Sequence, residues 1–496
     1  MTKILTFLKN NWIIILILFA ALFVRSYKPL ELFMYSHDQD LSGWIVKDVL
    51  VNHHIRLIGQ ETSSKGIFIG PIFYYLQIPF YILTKMDPSG LLILSILFGV
   101  FTVFSFYFVF GRIFNKKVGL IAALIYAIST VIVFTDREAV PTVPVMLWTV
   151  WYFYCLWKIL NGKQKYYILV GLLFGLVWDL SLALALLSPL VVIAHIFSKQ
   201  KVEIKKVFLG LTVFAILMIP FFVFEARHGF QQTKSLISSF TTSKDYVPGT
   251  ARGLAKTDRV LQLVHTNTTR IFWSSTNNVP AANTFYVLVF VFLILVISRV
   301  LRKDLALLML LWQVLFVLFF TFNSINVSEY YINGMNLVWI GIAAIALGKL
   351  LENENAKYLG FTLIAVFIGV STYGFFTYHV NESGYIQRKA IVAYIDEDAK
   401  AHNYPCVSVS YITSPGNNLG YRYLFWLRNM HVDLPQGGAP VYSIVYPLSG
   451  VSKLDKTFGA LGLILPDYKK YTKMGIEKSC SGENQNVTGP LFGYTQ

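Results

Sequence analysis

Charge is scarce in this chain. Only 14% of its 496 residues are Asp, Glu, Lys or Arg, where a soluble domain carries about a quarter. A water-exposed surface around the whole chain is thereby excluded. Acidic residues are the scarcer sign, 26 against 42 Lys and Arg, which leaves a formal charge of +16. Cysteine is nearly missing: three residues cannot build a disulfide-dense scaffold. No low-complexity tract or internal repeat stands out, which disfavours a transporter built from inverted repeats. What fills the space is apolar, with 55% hydrophobic and 16% aromatic residues.

The apolar residues come in long runs, several reaching the roughly 20 residues that cross a hydrocarbon core. Spans are read at about 11–26, 91–111, 117–135, 143–158, 166–181, 183–198, 206–224, 284–299, 304–322, 334–349 and 358–377. The basic residues sit mostly in alternate short loops, among them Lys3 and Lys9, Arg112 with Lys116 and Lys117, Lys158 to Lys165, Lys199 to Lys206, and Arg299 to Lys303. Such an excess marks the cytoplasmic side. The N-terminus is expected in the cytoplasm and, after an odd number of spans, the C-terminal segment outside. The positive charge is therefore a topology signal, and nucleic acid is not an expected partner; the lipid bilayer is. The first run lacks a small-residue cleavage site and leads into Arg25 and Lys28, so it reads as an uncleaved span.

The expected architecture is a mainly α, polytopic membrane domain over residues 1–377 with external loops at 27–90 and 225–283, followed by a small extracytoplasmic α/β domain at 378–496. Residues 41–54 place Leu41, Trp44, Ile45 and Val49 at helical spacing, which predicts a short helix in the membrane interface. The second loop is rich in Ser, Thr and Asn and carries Arg227, Lys234, Lys244, Arg252, Lys256, Arg259 and Arg270 against Asp245 and Asp258. It reads either as a cationic lid or as a solvated loop with two amphipathic turns. Beyond residue 378, Cys406 to Ile412, Pro440 to Tyr446 and Leu461 to Leu465 read as strands, with a helix-like stretch from Gly420 to Asn429. Cys155 falls inside a span, whereas Cys406 and Cys480 lie in the external domain, where a disulfide is chemically allowed.

Function is sought in the long external segments, since loops on a rigid scaffold carry binding and chemistry. Just outside the first span stands Tyr35-Ser36-His37-Asp38-Gln39-Asp40. Its two carboxylates suit a general base or a metal; equally, Asp38 or Asp40 suits the cap of the following helix. Further on, a polar turn from Gln60 and Glu61 through Lys65 leads into Gly70-Pro71 and the aromatics Phe73, Tyr74 and Tyr75. Lys65 and backbone N–H groups there could approach a phosphate, and the aromatics also fit an interfacial belt. The loop after the third span carries Asp136, Arg137 and Glu138. Charges beside spans are costly unless paired or facing a cavity, and a pair of Asp136 or Glu138 with Arg137 is the plain expectation. Asp179, within a span, is ionisable and stands apart from this set.

Taken in order, the acidic motif of the first external loop, the Phe68-x-x-Pro71-x-x-Tyr74-Tyr75 element, the charged loop after the third span and the terminal external domain resemble membrane glycosyltransferases of the GT-C fold. These include protein O-mannosyltransferases and lipid A aminoarabinose transferases, and the resemblance covers most of residues 1–380. It implies that Asp38 is the catalytic base, with Asp40 as runner-up because Gln39 stands where the family has its second acid. It implies a donor phosphate held by Arg137, with Lys65 or a lid arginine replacing the family's lysine before the proline, where this chain has Gly70. Glu225-Ala226-Arg227-His228-Gly229-Phe230 resembles a Phe-acid-x-Arg-His element and adds Arg227 and His228 to the phosphate set. Glu61, Gly70, Pro71, Tyr74 and Glu138 complete the implied substrate loop.

The implied reaction moves a sugar from a polyprenyl-phosphate donor to an acceptor hydroxyl or amine at the outer membrane face, with inversion. The acceptor class, whether lipid, glycan or protein, is open. No metal ligand and no certain cofactor is assigned; the carboxylates are compatible with a divalent metal. Two other readings of the spans stand beside this one: a transporter or lipid flippase without catalysis, and a polysaccharide polymerase or ligase with a diphosphate-linked donor.

Overall fold

A computed structural model of the protein describes residues 2–62, 66–241, 254–274, 279–323, 325, 327–379, 382–414 and 416–486. The chain begins with α1 (Thr2–Ser26), then α2 (His37–Val51) and α3 (Ile72–Leu83) outside it, then α4 (Gly90–Ile113). Next come α5 (Lys116–Ile128), α6 (Thr130–Asp136), α7 (Val145–Leu160), α8 (Tyr167–Gly175), α9 (Val177–Leu180), α10 (Pro189–Ser198), α11 (Ile204–Leu217) and α12 (Ile219–Arg227). The second long loop is built from α13 (Gln231–Thr241) and α14 (Leu254–Phe272), and α15 (Val279–Ile297), α16 (Lys303–Phe322), α17 (Asn336–Glu352) and α18 (Lys357–Thr377) complete the helical body.

Local chemistry sets the breaks. Asn115 starts α5 by accepting from the Val118 N–H at 3.0 Å. Between α5 and α6 the chain bends by 65° at Ser129, whose hydroxyl donates to the Ile271 carbonyl at 2.7 Å. Between α11 and α12 it bends by 54°, next to Pro220, which has no N–H to continue the ladder. Gly171 and Gly210 let α8 and α11 cross with backbones in contact, because a Cβ on Gly171 would strike the Gly210 carbonyl.

The expectation of about eleven spans is only partly met. Among the described residues, four helices are long and apolar enough to cross a membrane, or six if each bent pair is one span. Helices stand at the other expected positions, and their fully described apolar stretches, among them residues 11–26, 145–160, 182–198 and 281–297, are shorter. Ile72–Leu83 is a further short apolar helix, inside the segment read as an external loop. The described part of the second loop, read as a cationic lid or as a solvated loop with two amphipathic turns, is helical. In α14, Val260, Leu263, Val264 and Ile271 are buried on one face and join the main helical core, a helical spacing that was present in the sequence.

After α18 follow α19 (Tyr385–Ala401), β1 (Val407–Thr413), α20 (Arg422–Leu427), β2 (Val432–Asp433), β3 (Val441–Tyr446), β4 (Lys456–Phe458), β5 (Leu461–Ile464) and α21 (Lys473–Cys480). The sheet order is β2-β1-β3-β5-β4. β1 runs parallel to β2 and β3, with Val409 opposite Tyr442, while β5 lies antiparallel to β3 and β4. Ile391, Val392, Ile395 and Ala399 of α19 are buried against this sheet. Cys406 and Cys480 are joined in a disulfide that ties the start of β1 to the end of α21. One apolar core links the C-terminal part to the helical body: Phe33, Tyr35, Trp44 and Tyr81 share it with Val409, Tyr423 and Ile444. The N-terminal half of α2, expected on a lipid interface, is thus covered by protein, and Gln39 to Val46 are buried.

Candidate active site

Neither Asp38 nor Asp40 caps the helix that carries it. Ser36 is the N-cap residue of α2, and Gln39 reaches back to accept from the Ser36 N–H at 2.8 Å, one half of a capping box. The Gln39 amide also donates to the Glu138 carbonyl, so this one side chain joins the two acidic segments. Both carboxylates are therefore released for other use.

They take different ones. Asp38 turns toward a cavity of about 640 Å³ and accepts from Gln60 Nε2 at 3.2 Å. Burial pushes its carboxyl above the usual range, against the smaller opposing effects of His37 and Gln60. Asp40 faces away, accepting from the Tyr35 hydroxyl at 3.0 Å and the Tyr423 N–H at 3.1 Å. It lines neither this cavity nor the second one described below.

Gln60 is held in place by a short ladder. Gly59 N–H donates to Ile69 O, Ile69 N–H to Gln60 O, and Thr62 N–H to Ile67 O. The Gln60 N–H donates to the buried Tyr74 hydroxyl at 3.2 Å. Glu61 pairs with Phe68 in this ladder and lines the cavity, while its carboxylate accepts from the Gly66 N–H at 2.6 Å. Gly70 and Pro71 lead into α3. A Cβ on Gly70 would strike the Asp179 carboxylate, which accepts from the Ile72 N–H at 2.9 Å and so satisfies the start of α3. Asp179, set apart on sequence grounds, thus explains why no lysine can stand before this proline. Lys65 lies outside the described residues.

Glu138 forms the other side of the site. It lines the first cavity with Asp38 and also a second, of about 730 Å³, that holds Arg259 and Arg270 from α14. Thr142 and Tyr330 are the other residues common to both. Burial first, then the charges of Asp38, Asp136 and Glu329, push the Glu138 carboxyl up to about 7. Trp178, Leu182, Leu186 and Phe319 give the first cavity an apolar wall.

The expected pairing of Arg137 is corrected. Asp136 pairs with Arg25, whose Nε and Nη2 reach Asp136 Oδ2 at 2.9 and 2.7 Å, and Tyr126 donates to the other oxygen at 3.0 Å. The side chain of Arg25 is fully buried at the end of α1, where an unpaired charge would be most costly. Arg137 instead donates to the Tyr27 carbonyl and lies over the Phe134 ring; it lines neither described cavity. Arg227 is exposed and His228 stacks on Phe224 with ring centroids 4.1 Å apart, both away from the two cavities. Glu225 of the same motif accepts from the Gln232 and Thr233 N–H groups at 3.0 and 2.8 Å, so this element starts α13. Among the described residues, no three His, Cys, Asp or Glu side chains gather to hold a metal ion.

Sequence reasoning missed Gln39 and Gln60, because neutral amides are not read as chemistry. It named Arg259 and Arg270 only within a cationic loop; both lie off the buried face of α14 formed by Val260, Leu263, Val264 and Ile271, and both line the second cavity.

The fold and these motifs meet known proteins at two levels. The family model described as dolichyl-phosphate-mannose-protein mannosyltransferase matches residues 69–224. Over nearly the whole chain, the structure is similar to that of ArnT from Cupriavidus metallidurans bound to undecaprenyl phosphate, with a TM-score of 0.62 at 12% identity, covering 93% of this chain and 99% of that one. The chain has the GT-C glycosyltransferase fold. The apo state of the same ArnT gives the same TM-score and identity over 94% of this chain and 99% of that one. A looser likeness, TM-score 0.49 at 13% identity over 87% of this chain and 67% of the other, is found with the Archaeoglobus fulgidus oligosaccharyltransferase in complex with zinc and sulfate. No curated protein matches this chain by sequence. Its GT-C resemblance to protein O-mannosyltransferases and lipid A aminoarabinose transferases therefore holds at the level of a family model and a whole-chain fold.

Proposed function

We propose that this GT-C chain transfers a hexosyl or pentosyl group from a polyprenyl-phosphate donor to an acceptor at the outer face of the membrane, with Asp38 as general base. The observation that carries this reading is the shared wall of the two cavities. A sugar at Glu138, Thr142 and Tyr330 has a carboxylate on one side and the guanidiniums of Arg259 and Arg270 on the other. The acceptor oxygen or nitrogen attacks the anomeric carbon, Asp38 takes its proton, and the bond from carbon to phosphate oxygen breaks on the opposite face, so configuration inverts. The leaving phosphate gains charge, which preorganised cations stabilise. The step as drawn uses no metal ion or organic cofactor.

A raised carboxyl pKa supports the base assignment, since a stronger base accepts a proton more readily near neutral pH. The apolar wall of Trp178, Leu182, Leu186 and Phe319 suits a polyprenyl tail, and undecaprenyl phosphate is what the similar ArnT binds. Phosphate contact passes here from Arg137, Arg227 and His228 to Arg259 and Arg270. The orientation that goes with this reading has the N-terminus in the cytoplasm, residues 378–496 outside, and the shorter apolar helices completing about eleven spans. An outer-face site has no access to cytoplasmic nucleotide sugars. The test supplies purified protein with a polyprenyl-phosphate sugar in one reaction and the matching nucleotide sugar in another. Transfer from the lipid donor is expected, with Arg270→Ala raising donor KM more than acceptor KM; transfer from the nucleotide sugar with no lipid present overturns the proposal.

A further inference from the structure

The C-terminal domain is seated on the helix that carries Asp38. Gly420 approaches the start of α2 so closely that a Cβ there would lie 2.9 Å from the Ser36 backbone carbon. The Tyr423 N–H donates to Asp40 Oδ1 at 3.1 Å. Its ring covers Gly43 with no room for a methyl group: a Cβ on Gly43 would sit 2.7 Å from two ring carbons. The same ring meets Trp44 edge-on at 5.9 Å and Tyr81 at 6.1 Å, and its hydroxyl donates to the Met86 carbonyl at 2.8 Å. To the side of α2, the Tyr385 N–H donates to Phe33 O at 3.1 Å, and Tyr385 and Lys389 both reach Asp87 at 2.6 Å.

Asp38 lies between this contact and Gln60, its one hydrogen-bond partner among the described residues. The rotation and depth of α2 are set on one side by a domain that, apart from Tyr378 at its start, lines neither cavity. We infer that the C-terminal domain is a positioning element for the transfer step, with Asp40, Gly43 and Tyr423 holding α2 so that Asp38 stands at the cavity. Asp40 is a positioning residue: its Oδ1 accepts from Tyr35 and Tyr423 and needs no negative charge to do so. The inference rests on Asp38 being the base, and it accounts for two carboxylates two residues apart with separate duties.

The test uses the full chain and two readouts. Hydrogen exchange of the amides of residues 36–46 needs no substrate, so its outcome is separable from failure of the base assignment. Turnover with a polyprenyl-phosphate sugar is the second. Gly43→Ala and Tyr423→Ala are expected to speed exchange in this segment and to lower kcat roughly 10- to 100-fold, the cost of displacing a reacting group by about an ångström, with donor KM unchanged. The double variant should be little worse than Tyr423→Ala alone, because with the ring removed the added methyl has nothing to strike. Asp40→Asn, which keeps an oxygen to accept from Tyr35 and Tyr423 even where it weakens the further bond from Trp44, and Tyr423→Phe, which keeps the ring, should retain most turnover. If Tyr423→Ala does not fold, Gly43→Ala carries the test, since alanine favours the helix itself. Unchanged exchange at residues 36–46 in Gly43→Ala overturns the inference, as does a loss of turnover in Asp40→Asn as deep as that in Asp38→Asn.

Discussion

Replacing Asp38 by Asn separates catalysis from stability in a way the structure lets one work out beforehand. The amide keeps the size of the side chain and an oxygen that can still accept from Gln60 Nε2, but it cannot take a proton from the acceptor. General-base assistance contributes about 10²- to 10⁴-fold, which corresponds to about 3–5 kcal/mol of barrier, so kcat should fall by that factor. Stability should move the other way. Because burial raises the Asp38 carboxyl pKa in the folded chain, its ionised form costs stability at pH values above that raised pKa. The cost vanishes below the unfolded pKa, where the group is protonated in both states. Asn imitates the protonated form, so at neutral pH the variant should melt at the same temperature or slightly above the parent. The wild-type rate should drop as pH falls through the raised Asp38 pKa, earlier in an acid titration than for an ordinary aspartate. The assay is single-turnover transfer from a polyprenyl-phosphate sugar in detergent, beside a thermal melt of the same samples. A variant that turns over within about tenfold of the parent, less than a base supplies, would refute the assignment.

Asp136→Ala should destabilise the chain by about 3–5 kcal/mol, since it strands the buried Arg25 charge; Arg25→Leu with Asp136→Leu should recover most of the loss, and equal melting of single and double variants would reject the pair as a structural unit. With Glu138 titrating at about 7, donor KM should rise as pH increases through 7, because the new negative charge shares a cavity with the proposed phosphate site. Glu138→Gln should flatten that profile, and a variant with unchanged pH dependence speaks against it. Breaking the disulfide with Cys406→Ser and Cys480→Ser, at a sequence separation of 74, should cost about 4 kcal/mol by the chain-entropy argument, and denaturant melts of the oxidised protein against the double variant measure it.

Periodicity and composition by themselves determined the membrane class, because apolar runs have no stable alternative in water. The same local logic placed β1, β3 and β5 and the helix around Arg422 to Leu427, whose signals are short-range. It also fixed the order of the motifs along the chain, and with it the resemblance that the fold comparison repeats. What it could not determine was which charge meets which. Arg137 is adjacent to Asp136 in the chain, yet the carboxylate's partner is Arg25, 111 residues away, because helix geometry turns neighbouring side chains to different faces while packing brings α1 against α6. Asp38 and Asp40 look alike in sequence. They part company because one meets a cavity and the other meets the backbone of Tyr423, 383 residues later. Gly70 likewise looks like a lost lysine until Asp179 is found filling the space beside it. In the first two cases the decisive quantity is the desolvation of a charged group, and in the third it is room for a Cβ; both depend on three-dimensional surroundings that no local stretch of the chain encodes.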